Sequence, residues 1–250
     1  MTNWGQYFCN VNDKPSSILV DLDLKDRLPD HLRTNLIWIW VYMIATRPDG
    51  LSSNEEFQKL NSIEDALTER LEKDCDACLA GRITGDGRRE FYYYGHPPVN
   101  LQVMVEQELA SFPGYRCDFD TQPDPDRRQY LDVLYPTEES YECIKNMAVL
   151  EALGNAGDEP EIVRPVWHYV FFNSDDGRKR FIEWSKDNGF EQADRVRSDG
   201  PGKLERGTVC VVRSHSARPD DIDNYVLEVF SAARRFGGKY DGWETRVEKR

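Results

Sequence analysis

The residues able to do chemistry in this 250-residue chain are few and scattered. Cys75-Asp76-Ala77-Cys78 is the one local cysteine pair among six cysteines. A redox dithiol needs such a pair at a helix N-terminus, where the dipole lowers the thiol pKa; here the pattern puts it where a helix ends and a strand begins. No second cysteine pair and no histidine pair stands at zinc-ligand spacing, so no metal is expected, and a reducing compartment leaves the thiols unpaired. His31, His96, His168 and His215 are isolated from one another, and no nucleophile motif lies beside them. Gly81-Arg82-Ile83-Thr84-Gly85-Asp86-Gly87 lacks Gly-Lys-Ser/Thr and a following helix, so it reads as a hairpin turn rather than a phosphate loop.

Aromatic residues form two rows, Trp38, Trp40 and Tyr42 in one segment and Phe91 to Tyr94 in another, with Arg88 and Arg89 alongside. On an open sheet such rows stack single-stranded bases. The charge argues for core packing instead. Residues 1–163 hold 15 Lys+Arg against 30 Asp+Glu, a balance of −15, and residues 164–250 hold 17 against 15, a balance of +2, which together give the chain's −13. Affinity for nucleic acid rests on cations neutralising phosphates, so direct RNA binding by the acidic front part is disfavoured.

The elements that must position these residues follow from periodicity. Ser17–Leu24 alternates as a strand, and Asn35–Ala45 is a nearly continuous apolar run that suits a strand covered on both faces. That ten-residue apolar stretch from Leu36 is half of the roughly 20 needed to cross a bilayer, and the first residues carry no export signal, so a cytoplasmic protein is expected. Ser53 caps a helix with Phe57, Leu60, Ile63, Leu67 and Leu71 on one face. Strands at 77–84 and 89–95 flank a tight turn, a second helix carries Leu101, Val105 and Leu109, and 115–120 alternates as a last strand. Helices around 126–134 and 138–153 follow.

Residues 154–164, rich in glycine and charge, read as a linker between a domain at 1–153 and a domain at 165–250. Beyond it come a strand at 166–172, a helix capped by Ser174, a weak strand at 190–197 and a strong one at 207–213. A helix opening at Pro219 then carries Ile222, Val226, Val229, Ala233 and Phe236, and a terminal strand spans 239–247. Each part reads β-α-β-β-α-β, so the fold expected is α+β, two tandem ferredoxin-like domains, the first with an added N-terminal strand or hairpin and C-terminal helices.

The terminal stretch Gly238-Lys239-Tyr240-Asp241-Gly242-Trp243-Glu244-Thr245-Arg246-Val247-Glu248, after the strand Val209–Val212 and the helix from Pro219, resembles the regulator of ribonuclease activity B family, protein inhibitors of bacterial ribonuclease E. The resemblance implies a ferredoxin-like fold, no catalysis, no cofactor, and a protein partner such as an endoribonuclease, bound through its non-catalytic scaffold half. The inhibiting members are strongly acidic, whereas this half is +2. Tyr240, Asp241, Trp243 and Glu244 are the candidate partner-binding residues, two aromatic anchors with two carboxylates for basic groups of the partner. Strand alternation sets Asp241 and Trp243 on one face, and Tyr240 and Glu244 on the other. The front part resembles the bacterial domain of unknown function six-nine-five through Trp4-Gly5-Gln6-Tyr7, Asp49-Gly50-Leu51, Gly81-Arg82-Ile83-Thr84, Arg89-Glu90-Phe91-Tyr92-Tyr93-Tyr94 and Leu134-Tyr135-Pro136. Two rivals stand beside the non-catalytic regulator. One is an enzyme with an inter-domain site built from residues such as His96, Asp118, His168 and His215, and the other a single-stranded RNA-binding sheet.

Overall fold

A computed structural model describes residues 3–27, 32–195 and 207–249. His31 and the end of the strand expected at 190–197 lie outside the described residues. The chain forms two compact units, 1–140 and 141–250, each a mixed α+β assembly on its own antiparallel sheet.

The first unit opens with a hairpin of β1 (Trp4–Val11) and β2 (Lys14–Asp21). Its loop residues Asn12 and Asp13 have φ of 50° and 63°, the doubly left-handed turn whose twist matches paired strands. Next come β3 (Asn35–Tyr42), α1 (Asn54–Cys75), β4 (Cys78–Gly85), β5 (Arg88–Gly95), α2 (Leu101–Leu109) and β6 (Arg116–Pro123). The sheet order is β1-β2-β4-β5-β3-β6. Counted from β3, the last four run 2-3-1-4, and the hairpin is added beyond the second.

Helix α1 starts where Ser53, in extended conformation, accepts a hydrogen bond from the Glu56 amide at 3.2 Å. It buries Leu60, Ile63, Leu67 and Leu71 against Ile37, Ile39 and Val41 of β3 and Phe91 and Tyr93 of β5. The other side of β3 departs from expectation: Trp38, Trp40 and Tyr42 are only half-buried, because α1 and α2 cover one face of the sheet. The helix expected around 126–134 is a six-residue π-helical turn, Gln129–Leu134, whose Tyr130 and Leu134 are fully buried on that second face against β2 and β4.

The second unit takes in α3 (Glu138–Asn155) apart from its first turn, then β7 (Arg164–Phe172), α4 (Asp175–Asp187), β8 (Glu191–Ala193), β9 (Thr208–His215), α5 (Pro219–Arg235) and β10 (Gly238–Glu244). Its sheet order is β10-β7-β9-β8, again 4-1-3-2. Phe181 of α4 and Ile222, Val226 and Val229 of α5 pack on Val166, Val170 and Val211 of the sheet, and Val149, Leu150 and Leu153 of α3 join that core. The units therefore part before α3, not after it.

Residues 154–164, expected as an exposed linker, make hydrogen bonds within the second unit. Arg164 is 2% exposed; it pairs with Asp158 and donates to the carbonyls of Ile162 at 2.9 Å and Arg246 at 3.2 Å. The Glu159 amide donates to Glu248 O and the Ala217 amide to Pro160 O, both at 2.8 Å. A buried guanidinium holds its place only with its donors satisfied, and these bonds fix the segment while most of its other side chains stay exposed. Among the described residues no helix is long and apolar enough to cross a membrane.

Candidate functional site

Strand β10 departs from regular pairing where the unusual tetrapeptide lies. Tyr240 stands opposite Val170 of β7 and Trp243 opposite His168, so β10 advances three residues while β7 advances two. This is a β-bulge, and Gly242, with φ of 101°, supplies the conformation it needs. The extra residue changes the faces: Tyr240 and Trp243 both point under the helices, each 6% exposed, contrary to simple alternation. Asp241 is exposed on the bulge.

Each of the buried aromatic groups is satisfied. The Tyr240 hydroxyl lies 3.0 Å from His168 Nδ1, and its ring meets Phe230 edge-on. Trp243 Nε1 donates to Asn146 Oδ1 of α3 at 2.7 Å, and Asn146 Nδ2 donates in turn to Asp223 Oδ1 of α5 at 2.8 Å. Asn146 is 1% exposed. One asparagine thus joins the terminal strand, the preceding helix and α3, and no local pattern in the sequence marks it. Glu244 faces the other side of the sheet, where it accepts from the Tyr169 hydroxyl at 2.7 Å and from Arg195 Nε at 2.8 Å. Of the four candidates, Asp241 and Glu244 keep carboxylates away from the core, while Tyr240 and Trp243 hold the strand that carries them.

The histidines divide. His168 and His215 come together in the second unit, their rings stacked 6.5 Å apart. Burial, with the nearby His215, pushes His168 down to about 3, and burial likewise lowers His215. His215 Nδ1 sits 2.7 Å from the Ser216 carbonyl oxygen, and the Nε2 atoms of both rings have no hydrogen-bond partner among the described residues. In the first unit His96 is exposed beyond the end of β5, which pairs with Asn35, whereas Asp118 pairs with Trp40 and accepts from the Tyr42 hydroxyl at 2.6 Å. Five residues along β3 separate those positions, roughly 17 Å. The structure joins neither of these two to the other.

Cys75 closes α1 at its C-terminal end, where Asp76 adopts φ of 47°. Burial raises the thiol pKa of both Cys75 and Cys78, the opposite of what a reactive dithiol needs. Phe91 and Tyr93 lie in the core, Tyr93 bonded to Thr68 Oγ1 at 3.0 Å. Trp38, Trp40 and Tyr42 do share the face away from the helices, with Arg88 4.4 Å over the Trp40 ring. The β6 residues directly opposite Trp38 and Trp40 are Asp120 and Asp118, both exposed, and carboxylates there repel phosphates. Among the described residues no group of three metal-ligating side chains assembles.

No curated protein matches the chain. A crystal structure of an unknown protein from Galdieria sulphuraria matches at 9% identity, covering 86% of this chain and 99% of that one, with a TM-score of 0.22; at that score the likeness carries no argument. The family model described as Regulator of ribonuclease activity B matches residues 144–245, from within α3 to just past β10. Residues 2–135, more than half of the chain, match the Family of unknown function (DUF695), and the chain belongs to that family, with a regulator of ribonuclease activity B domain behind it.

Proposed function

We propose that this protein is a non-catalytic, protein-binding regulator of a ribonuclease, similar to the inhibitors of ribonuclease E, and that it acts in the cytoplasm. The observation that carries this reading is the regulator model's match to residues 144–245, nearly the whole of the second unit, α3 included. The strand order 4-1-3-2 with helices on one face supports the ferredoxin-like class for both units. Fold alone carries no function, so the contact must come from particular side chains. Asp241, exposed on the bulge, presents its carboxylate to basic residues of the partner, Glu244 beside it is a second carboxylate that meets them by exchanging its bond to Arg195, and the buried Tyr240 and Trp243 fix the strand that displays them. Binding of this kind restrains RNA turnover by occupying the nuclease's scaffold.

The test is a cleavage assay with full-length ribonuclease E and with its catalytic half alone, each with increasing amounts of the intact protein. Slower cleavage by the full-length enzyme only, with co-elution on gel filtration, is expected. An unchanged rate and no co-elution overturn the proposal.

A further inference from the structure

The added hairpin leaves part of the first unit's sheet without a helix above it. Helices α1 and α2 pack over β4, β5 and β6, and the register carries β2 and β1 outward beyond β4. The hairpin residues on the helix side, Gln6, Phe8, Ser17 and Leu19, therefore line an open groove where a larger helical layer would have made core. Phe57 of α1 walls it, Arg47 and Ser52 of the β3–α1 connection close one end, and the cavity measures about 150 Å³.

The floor is cationic. Arg89 is fully buried, its Nε donating to Thr84 Oγ1 at 3.0 Å and its Nη1 to Asn61 Oδ1 at 2.8 Å. Arg82, beside it on β4, pairs with Glu64, and the same carboxylate lies 3.5 Å from Arg89 Nη1. Two guanidiniums thus share one carboxylate. Glu56, the other acid acting on Arg89, is engaged by the amides of Ile44 and Ala45 at 3.0 and 3.3 Å. At the rim Arg47 adds a third guanidinium, paired with Asp49 at 2.6 Å. Burial and the adjoining Arg82 charge push Arg89 down to about 10. The three carboxylates that balance these guanidiniums, Glu64, Glu56 and Asp49, do not line the groove, so a ligand entering it meets Arg47, Arg82 and Arg89 and no acid, and guanidinium donors favour an anion there.

We propose that the groove between the β1–β2 hairpin and α1 binds a small organic anion, a carboxylate or phosphate monoester on a flat apolar group. The anion's oxygens meet the guanidiniums of Arg82 and Arg47, whose planar forks match a two-oxygen head group. The flat group lies between Phe8 and Phe57, which are 62% and 39% exposed at the groove. A cavity of about 150 Å³ is the size that takes a single benzene ring. The site belongs to the first unit and stands whether or not the second unit binds a ribonuclease.

Calorimetric titration of the intact protein with benzoate, phenyl phosphate, inorganic phosphate and neutral benzyl alcohol tests this. One-to-one binding of benzoate or phenyl phosphate is expected, with benzyl alcohol and inorganic phosphate much weaker. Arg82→Gln should weaken it roughly tenfold or more, the loss of one charge-assisted hydrogen bond. Should Arg82→Gln fail to fold by circular dichroism, Phe8→Ser, at an exposed position, carries the test with an expected weakening of the aromatic ligands only. No binding of either aromatic anion, equal binding of benzyl alcohol, or affinity unchanged in the folded variants overturns the proposal.

Discussion

Replacing Trp243 distinguishes a strand anchor from a contact residue. The indole is 6% exposed in the second unit's core, and its Nε1–H reaches Asn146 Oδ1 at 2.7 Å. Trp243→Ala removes a buried aromatic side chain and leaves a cavity, a loss of about 3–5 kcal/mol. Trp243→Phe keeps a ring in place but strands the Asn146 oxygen, which costs about 1–3 kcal/mol. Asn146→Ala breaks the same bond from the other side and also deprives Asp223 of one of its donors. The double variant Trp243→Phe/Asn146→Ala should therefore cost less than the two single losses added, by about 0.5–3 kcal/mol. Urea unfolding followed by far-ultraviolet circular dichroism measures all of this, provided the second unit's transition is resolved from the first. Against a whole stability of about 5–15 kcal/mol, the alanine variant is conspicuous. Asp241→Ala, on the exposed bulge, should stay within about 0.5 kcal/mol of wild type while weakening capture of the partner. If Trp243→Ala melts like wild type but loses the partner, the indole faces solvent and the bulged register is wrong.

Three further outcomes follow from the same unit. His168 is buried with its pKa lowered to about 3 from 6.5, so the unfolded chain binds the proton first and stability falls as pH drops below 6.5. The loss is about 1.4 kcal/mol per pH unit, His215 adds to it in the same direction, and urea midpoints between pH 7.5 and 5.5 that are unaffected by His168→Gln refute it. Gly242→Ala forces an L-residue to φ of 101°, costing about 1–3 kcal/mol; a melting temperature equal to wild type would show that the bulge does not need glycine. A fragment of residues 141–250 should fold alone, whereas 165–250, lacking Asn146 and the apolar face of α3, should be markedly less stable or unfolded by heteronuclear NMR.

What the sequence disclosed and what it withheld divide along local and non-local lines. The 4-3-4 spacing of Ile222, Val226, Val229 and Ala233 and the Ser53 cap are properties of neighbouring residues, and α5 and α1 formed where those signals put them. The added N-terminal strand or hairpin was legible, but the bounds of β1 were not, because its outward residues Trp4, Gln6, Phe8 and Asn10 mix polar and apolar types on an uncovered face, although Asn12-Asp13 is a good two-residue turn. The allegiance of α3 is decided by which core its Val149, Leu150 and Leu153 meet, a fact of tertiary packing that a weakly striped helix does not encode. The same holds for Arg164, whose partners at Asp158 and Arg246 come from both ends of the unit. At the tetrapeptide, alternation failed because a single residue with positive φ shifts every later side chain by one face. The glycine in Tyr240-Asp241-Gly242-Trp243 was the available clue, since glycine inside a strand weakens it unless it serves a bulge.

The two units share an element order and a strand order, so their differences are where separate roles must reside. In the first unit the last strand, β6, pairs with β3 through eight residues without a shift, and its side chains simply alternate. In the second the corresponding strand, β10, is bulged, so two aromatics enter the core in succession and a carboxylate is thrust outward between them. The first unit departs from the common plan at the opposite edge, where the hairpin widens the sheet past its helices and exposes Phe8 in a groove lined by the buried Arg89 and by Arg82 and Arg47. Regular pairing leaves no residue out of place, and each departure needs a specific local cause: a glycine at φ of 101° in one case, an Asn-Asp turn in the other. Because bulges and strand additions cost regular hydrogen bonding or ordered chain, they persist where the side chains they redirect meet something. The proposed protein contact thus falls at the bulged edge of the second unit and the proposed small-anion site at the widened edge of the first.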